Sequence, residues 1–414
     1  GGGKTHWEQL LPVEHFYNNF GIHPVSSLTW FEAPLDVEML REQATKVILK
    51  NPWLVGKVEV REEKVGLAYS TIKSIEAARI AVAENHVFNV FQAGEIEIYP
   101  DLKHEDQCEI CKSHPTMMLK PREELTSKTL WKISVFLTAD GKYFGMTVTI
   151  SHVVADGYTS YRCLEALMGT EDSIPSLIVK RKMETVERQA ELMGEQSLTV
   201  FEGSDGLILG LRGVLCQTIF EKCFPRQWSP QIRTYEVDPA KIEKIKQNVD
   251  KSVTPFISTN DIITSWFLKG SNGMYFMNMR SKIADHSPDL AGNYQNLITL
   301  RPADTATPEL IRLSTKKLRR FTTSDKEYSF WERMSIVGAS KCKIVTNMAS
   351  FYPKNVNPAH KVHLHRPIFE VPLVSPICVV HNTGKGNRLG VFVYASPSVH
   401  ESLDPSLLFV TKDE

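Results

Sequence analysis

The sequence predicts an α/β protein of two domains, each a mixed sheet covered by helices. Three observations predict it. A chain of 414 residues exceeds one ordinary core, and two domains of roughly 200 residues are the natural division. Short alternating apolar runs, suited to half-buried strands, are interspersed with stretches of helical period. The two halves also resemble one another in this pattern, although no clean repeat is visible.

Residues 24–32 read as a strand and 37–49 as an amphipathic helix that stops at Asn51-Pro52. Two short strands at 55–60 and 65–69 flank the polar turn Arg61-Glu62-Glu63-Lys64, and a helix fits 72–84. His104, Cys108, Cys111 and His114 follow in a polar stretch with Glu105, Asp106 and Lys112. Their types suit zinc, but the spacing is cramped and the neighbours are charged, so an ordinary surface loop without metal is expected. Strands at 132–137 and 143–150 flank the hairpin signal Ala139-Asp140-Gly141-Lys142, and a helix with Cys163 in its core face fits 158–168.

These elements set an N-terminal domain at 1–180. A crossover linker at 181–205, with a helix at 183–192, leads into a C-terminal domain at 206–414. Residues 206–220 carry one charge, Arg212. The run falls short of the ~20 residues that span a bilayer, so it reads as a buried or tunnel-lining helix, with membrane contact the lesser reading. Beyond it come a strand at 232–237, a helix opening at Asp238-Pro239, a helix at 261–268, and strands at 273–279, 341–347, 374–380 and 389–395. His363 and His365 alternate on a further short strand and read as surface residues.

Hydrophobic residues make up 42% of the chain, with 19 Phe and 7 Trp, enough for sizeable cores or an apolar tunnel. Lys plus Arg equals Asp plus Glu at 48 each. A neutral chain without a basic block lacks the electrostatic footprint of general nucleic-acid binding. Seven scattered cysteines do not make a disulfide framework and fit a reducing compartment, most simply the cytoplasm. Gly1-Gly2-Gly3-Lys4 reads as a trimmed end with no signal-like run after it. Lys412-Asp413-Glu414 lacks the terminal leucine of the usual retention signal.

The most informative stretch is His152-Val153-Val154-Ala155-Asp156-Gly157, where the alternating strand Phe144, Met146, Val148, Ile150 gives way to a helical pattern. A histidine at such a junction can be rigidly mounted and still face a cavity. Asp156 can hold the turn and Gly157 can let the backbone close tightly. No activated Ser or Cys stands beside the histidine, which favours direct proton abstraction from an acceptor over a covalent enzyme intermediate.

The order of elements resembles that of the acyl-CoA-dependent acyltransferases with the chloramphenicol-acetyltransferase-like fold. This broad group includes alcohol and amine acyltransferases and the condensation domains of peptide synthetases. His152 and Asp156 match its HxxxD motif. Ser258-Thr259-Asn260-Asp261 looks like the helix-opening segment of the second domain, Met277-Asn278-Met279-Arg280 like the next strand with its basic end, and Gly292-Asn293 like the group's Gly-Asn pair. The plant members' Asp-Phe-Gly-Trp-Gly segment is missing, which argues against a plant-type assignment.

The resemblance implies two chloramphenicol-acetyltransferase-like domains with an active-site tunnel between them. It implies transfer of an acyl group from acyl-CoA, a cosubstrate rather than a resident cofactor, to a hydroxyl or amine of a small or medium hydrophobic metabolite. His152 would be the general base, and Asp156 would shape the loop by pairing with Arg280. Asn293 would donate to the oxyanion, with Thr259, Asn260 and Gln295 as alternatives and a turn-capping role for Asn293 the plainer reading. Ser258, Thr259 and Asn260 would meet coenzyme A, and Lys316, Lys317, Arg319 and Arg320 could meet its phosphates; a helix cap and a solvated helix face explain the same residues without a ligand. A monomer is expected. The competing functions are a condensation-type enzyme using a carrier-protein thioester, a noncatalytic binding protein that kept the fold, and lipid or sterol acylation at a membrane.

Overall fold

Among the residues that the computed structural model describes (4–20, 22–121, 123, 129–170, 174–193, 230–283, 287–320, 342–368, 375–386 and 388–410), fourteen strands form three sheets. A small antiparallel sheet joins β1 (Thr5–Gln9), β4 (Lys64–Ser70) and β3 (Lys57–Arg61). The second sheet runs in the order β12 (Val362–Ile368), β2 (Val25–Glu32), β7 (Tyr143–Ile150), β6 (Trp131–Leu137), β5 (Phe88–Phe91). The third runs β10 (Gln295–Leu300), β9 (Asn272–Asn278), β11 (Cys342–Asn347), β13 (Ile377–Asn382), β14 (Leu389–Ala395), β8 (Gln231–Glu236). Both large sheets are mixed. β5 runs parallel to β6, β11 runs parallel to β9 and β13, and the other pairs are antiparallel.

Side-chain alternation explains the layering. On β2, Val25 and Phe31 enter one core with the helices Val37–Lys50 and Gly157–Met168, while Leu28 and Trp30 enter a second core on the opposite face. On β13, Cys378 and Val380 pack toward the helix Thr259–Leu268, whereas Ile377 and Val379 face the other way. Both faces are covered, so nearly every residue of these strands is buried, Ser26, Ser27 and Thr29 of β2 included. The helix Pro239–Gln247 starts at Asp238, whose carboxylate accepts the Ala240 N–H at 2.9 Å.

β12 comes from the C-terminal half of the chain yet forms an edge of the second sheet, antiparallel to β2. It corrects the surface reading of its histidines. His365 is fully buried, its Nδ1 2.9 Å from Thr29 Oγ1 and its Nε2 2.9 Å from the Tyr161 hydroxyl. His363 is half-buried and tilts against Tyr143, with ring centroids 4.7 Å apart.

The loop expected around His104 is the helix His104–Ser113. His104, Gln107, Cys108 and Cys111 are buried, a spacing that marks one face of a helix. His104 Nε2 lies 2.9 Å from the Pro367 carbonyl oxygen, and its ring packs edge-on against Phe392. His114 stacks edge-on against Phe91 instead, so the four residues do not converge. Cys163 is buried in the core, as its position on the helix suggests.

Two of the buried histidines make stability depend on pH. Burial pushes His365 down to about 3 and His381 to about 4 from 6.5, and the proximity of His381 adds to the effect on His365. The unfolded chain therefore takes up protons first as pH falls. Their stabilisation is complete above about pH 6.5 and is lost progressively toward pH 4 and then 3. The urea midpoint should fall across this window, and His365→Gln should flatten the slope. An unchanged slope would discharge His365 from this role.

Candidate active site

β7 ends at Ile150 and the helix Gly157–Met168 begins just beyond, with His152 in the turn between them. Asp156 is the helix N-cap, and its Oδ1 accepts the Thr159 N–H at 2.9 Å. The carboxylate also receives Arg280 in a two-pronged pair, Nη1 to Oδ2 at 2.7 Å and Nη2 to Oδ1 at 3.2 Å. A further donor, the Tyr294 N–H, reaches Oδ2 at 3.1 Å. Both charged side chains are 2% exposed. The Arg280 guanidinium lies between the rings of Tyr158 and Tyr294 and donates to the Leu290 and Gly292 carbonyls. The expected Asp156–Arg280 pairing is thus present, and it links the end of β9 to the turn that carries His152.

Gly157 has a different part from the one expected. Its backbone lies outside the left-handed region, and a Cβ there would meet only Met348 Cε at 3.7 Å. No tight backbone closure requires glycine here. Gly292 does require it, with φ at 134° and Arg181 Cζ 3.1 Å from where a Cβ would stand.

His152 is half-buried, and its ring centroid lies 4.7 Å from that of Tyr17. Its Nδ1 is 3.2 Å from Asn293 Oδ1. The orientation of that amide follows from its surroundings. Asn293 Nδ2 faces the His152 carbonyl oxygen at 2.9 Å, Glu14 Oε1 at 3.3 Å and the Val153 carbonyl oxygen at 3.4 Å, all acceptors. Only an NH2 group satisfies that end, so the oxygen must face His152. Nδ1 therefore carries the proton and Nε2 carries the lone pair. Burial pushes the imidazole below its ordinary 6.5, opposed by hydrogen bonding and by the Asp156 charge, which keeps the ring neutral near pH 7.

This geometry corrects the oxyanion-donor expectation for Asn293, because its N–H groups are engaged by the His152 turn and by Glu14. Gln295, one of the alternatives, donates to the Tyr17 hydroxyl at 2.8 Å. Burial raises the Tyr17 phenol well above its ordinary value, so it stays protonated.

Three residues at the site escape sequence reasoning: Glu14 and Tyr17 on the helix Pro12–Phe20, and Arg181 beyond the motif helix. Glu14 is fully buried and pairs with Arg181 Nε at 2.9 Å. Pro12 with Glu14 in the first turn is a helix-start signal. The contacts to Asn293, 279 positions away, leave no local trace.

The residues expected to meet coenzyme A divide. Ser258, Asn260 and Lys316 line one cavity of about 490 Å3, together with Lys282, Arg312 and Asn278. Thr259 and Lys317 are not among its walls. Ser258 caps the helix Thr259–Leu268 in a reciprocal arrangement with Asp261. The basic run is also split. The helix Pro308–Lys317 ends at Leu318, whose φ of 59° turns the chain, and Arg320 is 1% exposed in the interior. Asn260 Oδ1 is buried without a hydrogen-bond partner among the described residues. Asp261, the one carboxylate among the described residues that line the cavity, receives Arg312 at 2.6 Å and the Ser258 N–H at 2.7 Å, so the lysines leave the cavity basic. Its wall reaches the motif. Asn278 Oδ1 accepts the Arg280 N–H at 3.0 Å, and Phe351 packs edge-on against Tyr158.

No cluster of metal-ligating side chains is present among the described residues, and none of their helices is long and apolar enough to cross a membrane. The apolar run at 206–220 lies outside the described residues.

No family model matches the chain, and no curated protein is significantly similar to it. Solved structures are similar. One is TRI101 of F. graminearum complexed with coenzyme A and deoxynivalenol, 12% identical with a TM-score of 0.62 and 96% of both chains covered. Another is the first condensation domain of the calcium-dependent antibiotic synthetase, 14% identical with a TM-score of 0.59, covering 95% of this chain and 91% of that one. A third is polyketide synthase associated protein 5 from Mycobacterium tuberculosis, 12% identical with a TM-score of 0.52, covering 97% and 96%. At these identities the likeness shows the fold alone, the mixed sheets covered by helices that the sequence resemblance implies.

Proposed function

We propose that this protein transfers an acyl group from acyl-CoA to the hydroxyl or amine of a small or medium hydrophobic metabolite, with His152 as general base. The observation that carries the reading is the His152–Asn293 contact. It holds the proton on Nδ1 and leaves the Nε2 lone pair to take a proton from an acceptor. The acceptor's heteroatom attacks the thioester carbonyl as its proton moves to Nε2. Collapse of the tetrahedral intermediate breaks the C–S bond, and the imidazolium returns the proton to the departing thiolate. No covalent enzyme intermediate is needed. Asp156, with its oxygens engaged by Arg280, Thr159 and Tyr294, shapes the turn rather than relaying charge.

The two reactants would meet in a tunnel between the N-terminal part at 1–180 and the C-terminal part at 206–414. The basic cavity beside Ser258, Asn260 and Lys316 suits the anionic end of the thioester. TRI101 was solved with coenzyme A bound, which supports the choice of donor. We assign the protein to the cytoplasm as a monomer, with coenzyme A thioesters and small acceptors as its partners.

The test is thiol release from acetyl-CoA and longer acyl-CoAs across a panel of alcohols and amines. Acceptor-dependent release supports the reading, and no release with any pair argues for a binding protein. Within an active pair, Lys282→Ala and Lys316→Ala should each raise KM for the thioester by about 2- to 5-fold with kcat nearly constant, as expected for exposed charges. The effect should shrink at high salt. A fall in kcat alone would remove the lysines from thioester binding.

A further inference from the structure

The turn that carries His152 rests on a buried ion pair whose residues lie outside the motif. Glu14 is fully buried, and four donors converge on its carboxylate: the Leu11 N–H at 2.8 Å, Arg181 Nε at 2.9 Å, the Asn293 N–H at 3.1 Å and Asn293 Nδ2 at 3.3 Å. Arg181, with a side chain 1% exposed, uses its remaining nitrogens as a clamp. Nη1 donates to the Val179 and Ala291 carbonyls at 2.9 and 2.8 Å, and Nη2 donates to the Val154 carbonyl at 3.0 Å. Val154 lies in the His152 turn and Ala291 precedes Gly292-Asn293. One ion pair therefore ties the first helix to both loops that form the site.

We infer that Glu14 and Arg181 are positioning residues for His152, acting through Asn293. Reversing the Asn293 amide would aim its oxygen at the Glu14 carboxylate and the His152 and Val153 carbonyls. Glu14 thereby adds a full negative charge to the group of acceptors that forbids the reversal. It also holds the Asn293 backbone N–H, which fixes the distance from Oδ1 to the imidazole. A histidine free in water favours the proton on Nε2, the tautomer that cannot act as base through that nitrogen. The Asn293 oxygen, together with backbone groups of His152 and Ala155 that also hydrogen-bond the ring, favours the other one, and the relay holds that oxygen in place. The Arg181 and Glu14 side chains are 1% and 0% exposed, so loss of the pair should act on turnover and tautomer rather than on substrate affinity. The inference rests on the reading of His152 as base, but tautomer and turnover are measured separately.

The experiment uses the full chain labelled with 15N-histidine, with the His152 signals identified by their absence in His152→Ala. The parent should show the Nδ1–H tautomer, and an Nε2–H imidazole there overturns the relay. Glu14→Gln places an NH2 against the donors of Leu11 and Arg181 or of Asn293. It should increase the Nε2–H population and lower kcat roughly 10- to 100-fold with KM within about 2-fold. Unchanged tautomer, or a shifted tautomer with unchanged turnover in an active enzyme, overturns it. In an Asn293→Ala background, Glu14→Gln should add less than about a 2-fold further loss, whereas multiplying losses would reduce Glu14 to a packing role. Should Glu14→Gln fail to fold, Glu14→Asp carries the same comparisons, because it keeps the charge beside Arg181 and withdraws an oxygen from Asn293. A tautomer shift in a chain that transfers no acyl group to any acceptor would keep the relay and discard the acyl-transfer reading.

Discussion

Replacement of His152 by alanine should lower acceptor-dependent thiol release by roughly 10²- to 10⁴-fold, the contribution usual for a positioned general base. Stability should change little. The ring is half-buried, and Asn293 Oδ1 is its one side-chain hydrogen-bond partner among the described residues. Asn293 Nδ2 would keep its contacts to Glu14 and the backbone of residues 152 and 153. Turnover and melting temperature measured together decide the matter. A variant with full activity removes His152 from the reaction, and one that fails to fold makes it a structural residue.

Asp156→Asn should behave in the opposite way. The substitution preserves shape but puts an NH2 group where a carboxylate oxygen receives donors from Arg280 and from either Thr159, at Oδ1, or Tyr294, at Oδ2. The Arg280 charge is then buried without its partner, which costs about 3–5 kcal/mol. The cost should appear as a fall in Tm on the order of 5–10 °C, with activity lost as the His152 turn loosens. Neighbouring aromatic faces soften the loss without replacing the carboxylate, because Tyr158 and Tyr294 already flank the guanidinium. A variant that melts like the parent but turns over no substrate would overturn the structural role and place Asp156 in orienting the imidazole directly.

Much of the fold was legible wherever one face of an element carried the pattern. β7 and β14 read to the residue, at Tyr143–Ile150 and Leu389–Ala395, because alternation in β7 and a short apolar run in β14 were bounded by turn residues. The helix His104–Ser113 was hidden by its charge: Glu105, Asp106, Glu109 and Lys112 dominate the string, while four buried residues make up the face that packs. His365 was misjudged because its burial depends on β2 and on Tyr161, neither of which is near it in sequence. At the site, His152, Asp156, Arg280 and Asn293 were legible through motif resemblance. Glu14 and Arg181 were not, since a residue that supports the chemistry through another carries no spacing of its own. The chemistry of Asn293 was misread for a related reason. Its amide suits either donation to an oxyanion or acceptance from an imidazole, and only the acceptors around Nδ2 decide between them.

The placement of β12 has a consequence for how the chain is made. Thr29 on β2 and His365 on β12 are 336 positions apart in sequence, so during synthesis β2 must wait for most of the polypeptide before its neighbour emerges. Until then the nascent sheet presents a row of unpaired amide and carbonyl groups beside apolar side chains, the surface on which strands of other chains pair. Such long-range closure also makes folding slow. A ribosome-bound chain truncated before Val362 carries that open edge however well its remaining helices form, and should pair with strands of other chains more readily than the full-length chain does.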